Sequence, residues 1–285
     1  MLAGGLLFVA VTVLVRHLGS DMPAVEAAFI RYLIGVILIL PVAWRMRWRL
    51  ISGHSYALYA LRGLLHGAAV MLWFFAMARI PLAEVTAIGF STPVITALGA
   101  IFFFREQVRL RRMLAIAAGF IGTLVILRPG FQQIEAGSLA QLSAAFFFAG
   151  SFLLTKKMTQ RESSGDILVM LSIFCTLALL PGALYYWRTP TPLEVAWLAL
   201  VAVFATAGHY AITRAIAHAP LTVTQPLTFL QLVWAVLFGY LLFDEVPDAW
   251  VIFGAGIVVA AVSYIAHREA QAARKVRLES PSLPE

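Results

Sequence analysis

ARIPLAEVTAIGF (78–90) and AHAPLTVTQPLTF (217–229) align without a gap. Pro81 falls on Pro220, Leu82 on Leu221 and Phe90 on Phe229. The same offset of 139 carries Phe104 onto Phe243 and Glu106 onto Glu245. The identities are few, but register held across a whole apolar segment marks an internal repeat. A glycine-bearing apolar run follows each copy, with Gly119 and Gly122 after the first and Gly254 and Gly256 after the second.

Around this repeat the 285-residue chain is 61% hydrophobic and only 12% charged, with a mean hydropathy of +0.88. A soluble domain carries about twice that charged fraction, and this one could not cover its surface with polar groups. Its natural solvent is a bilayer. Runs long enough to span one occur at about 2–18, 24–44, 57–80, 83–104, 112–128, 137–155, 167–187, 193–213, 222–243 and 249–267. The breaks between them are short, and several carry Pro or Gly. The first run has no basic segment before it and no clean cleavage site after it, so it reads as a retained helix. After His267 the chain turns polar and basic, and its end is expected to be disordered.

Ten spans divide the basic residues unevenly. With the N-terminus in the cytoplasm, sixteen of the 21 Lys and Arg residues face inward and five (Arg16, Arg31, Arg79, Arg128 and Arg188) face outward. Both termini are therefore expected to be cytoplasmic. The net charge of +7 is read as this topological signal and not as nucleic-acid binding, since no basic stripe interleaves with aromatics. Cys175, the one cysteine, lies in an apolar run, so no disulfide within the chain is available.

The repeat sets spans 1–5 against spans 6–10. Five is odd, so the second half enters the membrane upside down. The expected fold is all-α and integral to the membrane: ten transmembrane helices in two inverted five-helix repeats around a central cavity. The halves are 1–130 and 131–267, followed by a basic cytoplasmic tail at 268–285.

Together these features resemble the EamA family of the drug/metabolite transporter superfamily. The resemblance rests on the two Pro…Glu segments, ending in REQV (105–108) and DEVP (244–247). It rests too on AIAAGFIGTLVILRPG (115–130) and VIFGAGIVVAAVSYIAH (251–267), and on Arg31 and GSLAQLSAAFFFAGSFLLTKK (137–157). It implies a ten-helix carrier that exports small metabolites, often amino acids, without a cofactor. Within the family the chain is most similar to bacterial aromatic amino acid exporters.

Polar side chains at membrane depth are costly and are functional candidates by default. Arg62, His66, Trp73 and Met77 share one face of span 3. There, His66 offers a hydrogen bond and Trp73 a stacking surface. Span 4 brings Thr86, Pro93 and Thr96; Pro93 frees a backbone carbonyl, and the small residues around it serve either a cavity or close packing. Ser151 is the candidate from span 6, where at most one or two of Phe146, Phe147 and Phe148 can face inward. His209, Tyr210 and Thr213 come from span 8, and Thr228 and Gln231 from span 9. These groups suit a neutral or zwitterionic small molecule such as an amino acid.

Arg31, Glu106 and Glu245 are assigned structural roles. The two glutamates precede the N-termini of spans 5 and 10, where a carboxylate complements the helix dipole. Glu26 and Glu84 are candidate ion-pair partners for Arg31. No carboxylate sits at a span centre, so facilitated transport is expected, with proton coupling through His66 or His209 as the alternative. An intramembrane enzyme is the less favoured reading, for there is no H-E-x-x-H, no pair of deep aspartates and no G-x-S-x-G. His66 and His209 lack a nearby third metal ligand in sequence, so no metal site is expected. Beyond the bilayer and a small-molecule substrate no partner is implied, and a monomer is compatible with the chain.

Overall fold

The computed structural model describes residues 2–19, 21–45, 53–104, 110–128, 133–158, 162, 164–218 and 230–279. Among these, almost every residue is helical and none is in a strand. The helices are α1 (Leu2–Leu18), α2 (Ala24–Arg45), α3 (Gly53–Met77), α4 (Leu82–Gly89), α5 (Ser91–Phe104), α6 (Leu110–Leu127), α7 (Ala136–Met158), α8 (Ser164–Tyr185), α9 (Pro192–His218), α10 (Leu230–Phe243) and α11 (Ala249–Glu279). Five of them (α2, α3, α7, α8 and α9) contain apolar stretches long enough to cross a membrane, and five further apolar segments are shorter.

Two boundaries differ from the sequence expectation. The fourth span is broken into α4 and α5 at Phe90 (φ −66°, ψ −8°). Pro93 has no N–H to offer the Gly89 carbonyl, and its ring disfavours a straight helix there. The Phe90 N–H instead meets both the Thr86 and Ala87 carbonyls at 3.2 Å. The polar stretch after His267 does not leave the helix: α11 continues to Glu279. REAQAARKVRLE (268–279) is rich in Ala, Arg, Glu and Gln, all strong helix formers, so polarity here marks the departure from the apolar region and not the end of the helix.

Packing follows a definite scheme. α3 lies along α7 and α8, while α1 lies along α9 and α9 also meets α2. α5 packs on α7 and α10 on α1. α2 crosses α8, α4 meets α10, and α6 pairs with α11. Small residues set the closest approaches. A Cβ built on Gly122 would lie 2.8 Å from the Gly254 carbonyl oxygen, and one on Gly254 2.7 Å from that of Gly122, so α6 and α11 touch backbone to backbone. At Gly63 of α3 a Cβ would lie 2.4 Å from Phe174 Cβ of α8.

Large apolar side chains remain exposed around the bundle, among them Phe102, Phe103, Tyr185 and Phe253. In water such a surface would drive aggregation, whereas in hydrocarbon it is the ordinary lipid-facing exterior.

Candidate functional site

Polar residues converge where α1, α2, α3, α7 and α9 meet. Gly63 and Gly67 let α3 approach α8 closely, which carries the neighbouring His66 into the interior, where it is 4% exposed. His66 Nδ1 lies 3.1 Å from Ser151 Oγ of α7, itself fully buried. Either atom can donate in that bond, depending on the tautomer. That bond engages Nδ1 alone. Rings surround the imidazole. Phe148 is 5.1 Å away edge-on, His209 6.4 Å away, and Tyr32 6.4 Å away edge-on. Trp73 extends the group beyond Phe148 at 6.3 Å, and Phe8 of α1 packs on His209 at 4.9 Å. Rings in edge-to-face contact present both polar edges and apolar faces, which suits a heteroaromatic ligand.

Two guanidinium groups flank this centre. Arg31, eighth in α2, and Arg62, tenth in α3, are each 7% exposed. Arg62 Nη1 donates to the Ile167 carbonyl at 3.1 Å, and Arg31 Cζ lies 4.0 Å from the centre of the Tyr32 ring. Arg31 does not pair with Glu26 or Glu84, the partners expected of it. Glu26 Oε2 accepts from the Arg188 backbone N–H (3.1 Å), and Glu84 Oε1 accepts from Ser138 Oγ (2.6 Å). Both acids sit near the N-termini of α2 and α4, and Arg31 lies further along α2.

The other sequence candidates divide into groups. Thr86 and Thr96 return their hydroxyls to the carbonyls of Leu82 and Thr92, at 2.9 and 2.8 Å. Beside the break at Phe90, Ser91 Oγ meets Thr123 Oγ1 of α6 at 2.8 Å. Gln231 is half-buried, and a Cβ built on Gly5 of α1 would lie 3.5 Å from its side chain. Tyr210 is 61% exposed on the outer side of α9, one residue past His209 and so turned away from it. Pro93 falls within α5 and Thr213 within α9. Thr228 and Glu106 lie outside the described residues. Arg62, Phe148, Tyr32 and Phe8 belong to the centre although they were not among the site candidates. Arg62 was legible from its face shared with His66; nothing in sequence singles out which phenylalanine or tyrosine turns inward.

Glu245 does cap a helix N-terminus, but the helix is α4 rather than the last span. Its Oε2 accepts from the Leu82 backbone N–H at 2.7 Å, and its Oε1 lies 2.8 Å from Arg16 Nη2. Arg16 Nη1 also donates to the Met77 carbonyl at 3.2 Å. Two local features aim the carboxylate there. Asp244 adopts a left-handed φ of 54°, which Asp tolerates. Gly239 leaves room, since a Cβ on it would lie 2.9 Å from Glu245 Oε2.

Elsewhere at the helix ends, Arg128 Nη2 binds Asp248 Oδ2 at 2.5 Å. The Trp250 backbone N–H, with Arg128 behind it, holds the Asp248 carboxyl below the usual carboxylate range. Arg188 is bonded to Glu194, which keeps its guanidinium more firmly protonated than usual. Among the described residues no group of three His, Cys, Asp or Glu side chains is placed to hold a metal ion.

A helical membrane-protein surface around a buried, ring-lined polar centre is the general form of a solute carrier. The EamA-like transporter family model matches residues 1–128 and 135–266. The chain belongs to the EamA-like transporter family. It is 28% identical to the S-adenosylmethionine uptake transporter of Rickettsia bellii, covering 92% of this chain and 90% of that protein. It is 30% identical to the riboflavin transporter of Vibrio cholerae, covering 97% and 95%. It is 25% identical to the pseudopaline exporter of Pseudomonas aeruginosa, covering 89% and 90%. The narrower likeness to aromatic amino acid exporters is not the one these relatives display.

Proposed function

We propose that this protein is a facilitated carrier that moves a small heteroaromatic metabolite, of the S-adenosylmethionine or riboflavin kind, across a bacterial inner membrane by alternating access. The observation that carries this reading is the His66–Ser151 pair bordered by Phe148, His209 and Tyr32, with Trp73 beyond Phe148. The rings offer stacking surfaces, and His66 Nε2 offers one directional hydrogen bond.

Ten spans in two inverted halves supply the machinery. Exchanging α1 with α7, α2 with α8, α3 with α9, α4–α5 with α10 and α6 with α11 carries the main interhelical contacts onto one another, which supports this reading. Under that exchange the α3–α7 contact becomes α9–α1, α5–α7 becomes α10–α1, and α2–α8 and α6–α11 return to themselves. The family's two matched stretches fall on the same two halves. Such a pair of halves can trade inward-open and outward-open shapes around one site. The Lys and Arg bias supports cytoplasmic termini.

Among the described residues no carboxylate is bonded to the His66–Ser151 pair, which favours uncoupled transport in the direction of the substrate gradient. Amino acids are also compatible with the polar centre, and the relatives' names favour the larger, ring-bearing solutes. The test is uptake into proteoliposomes of S-adenosylmethionine, riboflavin and tryptophan, with and without a pH gradient. Ring-bearing solutes are expected to enter faster than into empty liposomes, with little effect of the gradient. His66→Ala and Ser151→Ala are each expected to lower the rate about tenfold, the effect of a lost buried hydrogen bond of about 1–3 kcal/mol. Failure of every solute to enter through folded protein overturns the substrate assignment, and a steep pH dependence overturns uncoupled transport.

A further inference from the structure

We propose that Arg31 and Arg62 form an anion subsite beside the ring cluster, and that it receives a carboxylate of the transported solute. This rests on the reading of the His66 centre as the substrate site. The argument begins from charge. A guanidinium stays protonated in any protein environment, so each arginine carries its positive charge into the interior. Placed among packed helices, such a charge is retained only where it meets a partner.

The partners the chain supplies are incomplete. Arg62 uses Nη1 on the Ile167 carbonyl, and its buried Nε has no acceptor. Arg31 rests on the Tyr32 ring, and its buried Nη1 has no acceptor. Among the described residues no carboxylate lies within ion-pair distance of either guanidinium. Glu245, Asp248 and Glu194 are paired with Arg16, Arg128 and Arg188, and the buried Glu26 accepts from the Arg188 backbone N–H. Tyr32, Tyr59 and Cys175, which also stand near the two guanidinium groups, belong to residue types that are ordinarily neutral at pH 7. Arg31 lies on the Tyr32 ring, itself 6.4 Å from His66, and Arg62 stands one helical turn before His66 on α3, so the two border one centre from α2 and α3.

Two buried cations with free N–H groups and no counter-charge complement an anion. A planar carboxylate matches the guanidinium fork. A ring held against Phe148 and Trp73 with its carboxylate toward Arg31 and Arg62 would use both halves of the site at once. Of the two solute kinds proposed above, this selects the one that carries an amino-acid carboxylate over the uncharged flavin.

The test compares N-acetyltryptophan with N-acetyltryptophanamide, two probes that share a ring and differ in the carboxylate. Binding is measured by calorimetry on the full chain in nanodiscs. The acid is expected to bind at least tenfold more tightly than the amide. Arg31→Gln and Arg62→Gln are each expected to reduce that preference several-fold, and Arg31→Lys and Arg62→Lys, which keep the charge, to retain part of it. Equal affinity for acid and amide in the unaltered protein, binding of neither, or a preference that persists unchanged in both Gln variants overturns the proposal. The outcomes separate from those of the transport assay. Uptake of ring-bearing solutes without an acid preference leaves the carrier reading standing and removes this one. An acid preference without uptake does the reverse.

Discussion

At the scale of single residues the informative group is Glu245. Its carboxylate serves the Leu82 N–H and the Arg16 guanidinium together and is 10% exposed. Replacing it with Ala leaves a helix end uncapped and a half-buried guanidinium without its ion-pair partner. Glu245→Ala is expected to lower stability by about 1–3 kcal/mol, read as a lower Tm in detergent, with Glu245→Gln costing less because an amide oxygen still accepts from Leu82. A Tm unchanged in both variants would show that the contact is incidental. The sequence identified Glu245 as a helix-capping carboxylate but attached it to the wrong helix. The partner is 163 residues away, and a cap that spans the fold leaves no trace in local spacing. Arg31 shows the converse: two acids expected on the same side of the membrane invited a pairing, and each is bonded to another group, Glu26 to the Arg188 N–H and Glu84 to Ser138 Oγ.

At the scale of helices, packing is controlled by glycines and by bonds at the helix ends. Gly63 presses on the Phe174 backbone and side chain, so even Gly63→Ala must push α3 from α8. A loss of about 1–3 kcal/mol is expected from such overpacking, together with displacement of His66 and slower transport. A variant that melts like the parent would mean that α8 yields freely. At the other end of the bundle the Arg128–Asp248 bond ties α6 to the start of α11, the pair whose backbones touch at Gly122 and Gly254. Because the folded state depresses the Asp248 pKa, the carboxylate's contribution is present above the ordinary Asp value of about 4 and is lost as pH falls through its lower folded value. The parent should therefore melt above Asp248→Asn at pH 7, and the two should converge towards pH 3. A gap that stays constant with pH would assign the effect to something other than ionisation.

At the scale of the whole molecule, Cys175 reports on the bundle. It is fully buried, with Sγ 3.5 Å from the Gly63 carbonyl. As the sole thiol, it should react with a maleimide only after denaturation, and rapid labelling of native protein would place α8 wrongly. The sequence by itself determined the membrane as solvent, because an apolar fraction of 61% leaves no other, and it determined most helix limits, because hydropathy over about 20 residues is a local property. It also supplied His66, Ser151 and His209 as separate candidates, since polar groups in apolar spans must find partners; the structure brings them together. Only the tertiary structure decided which rings close around them, which carboxylates are already taken, and that two buried arginines have no carboxylate partner among the described residues. Those are facts about pairs of residues on different helices. The free energy of a buried charge or ring depends on what stands opposite it, and that is set by packing.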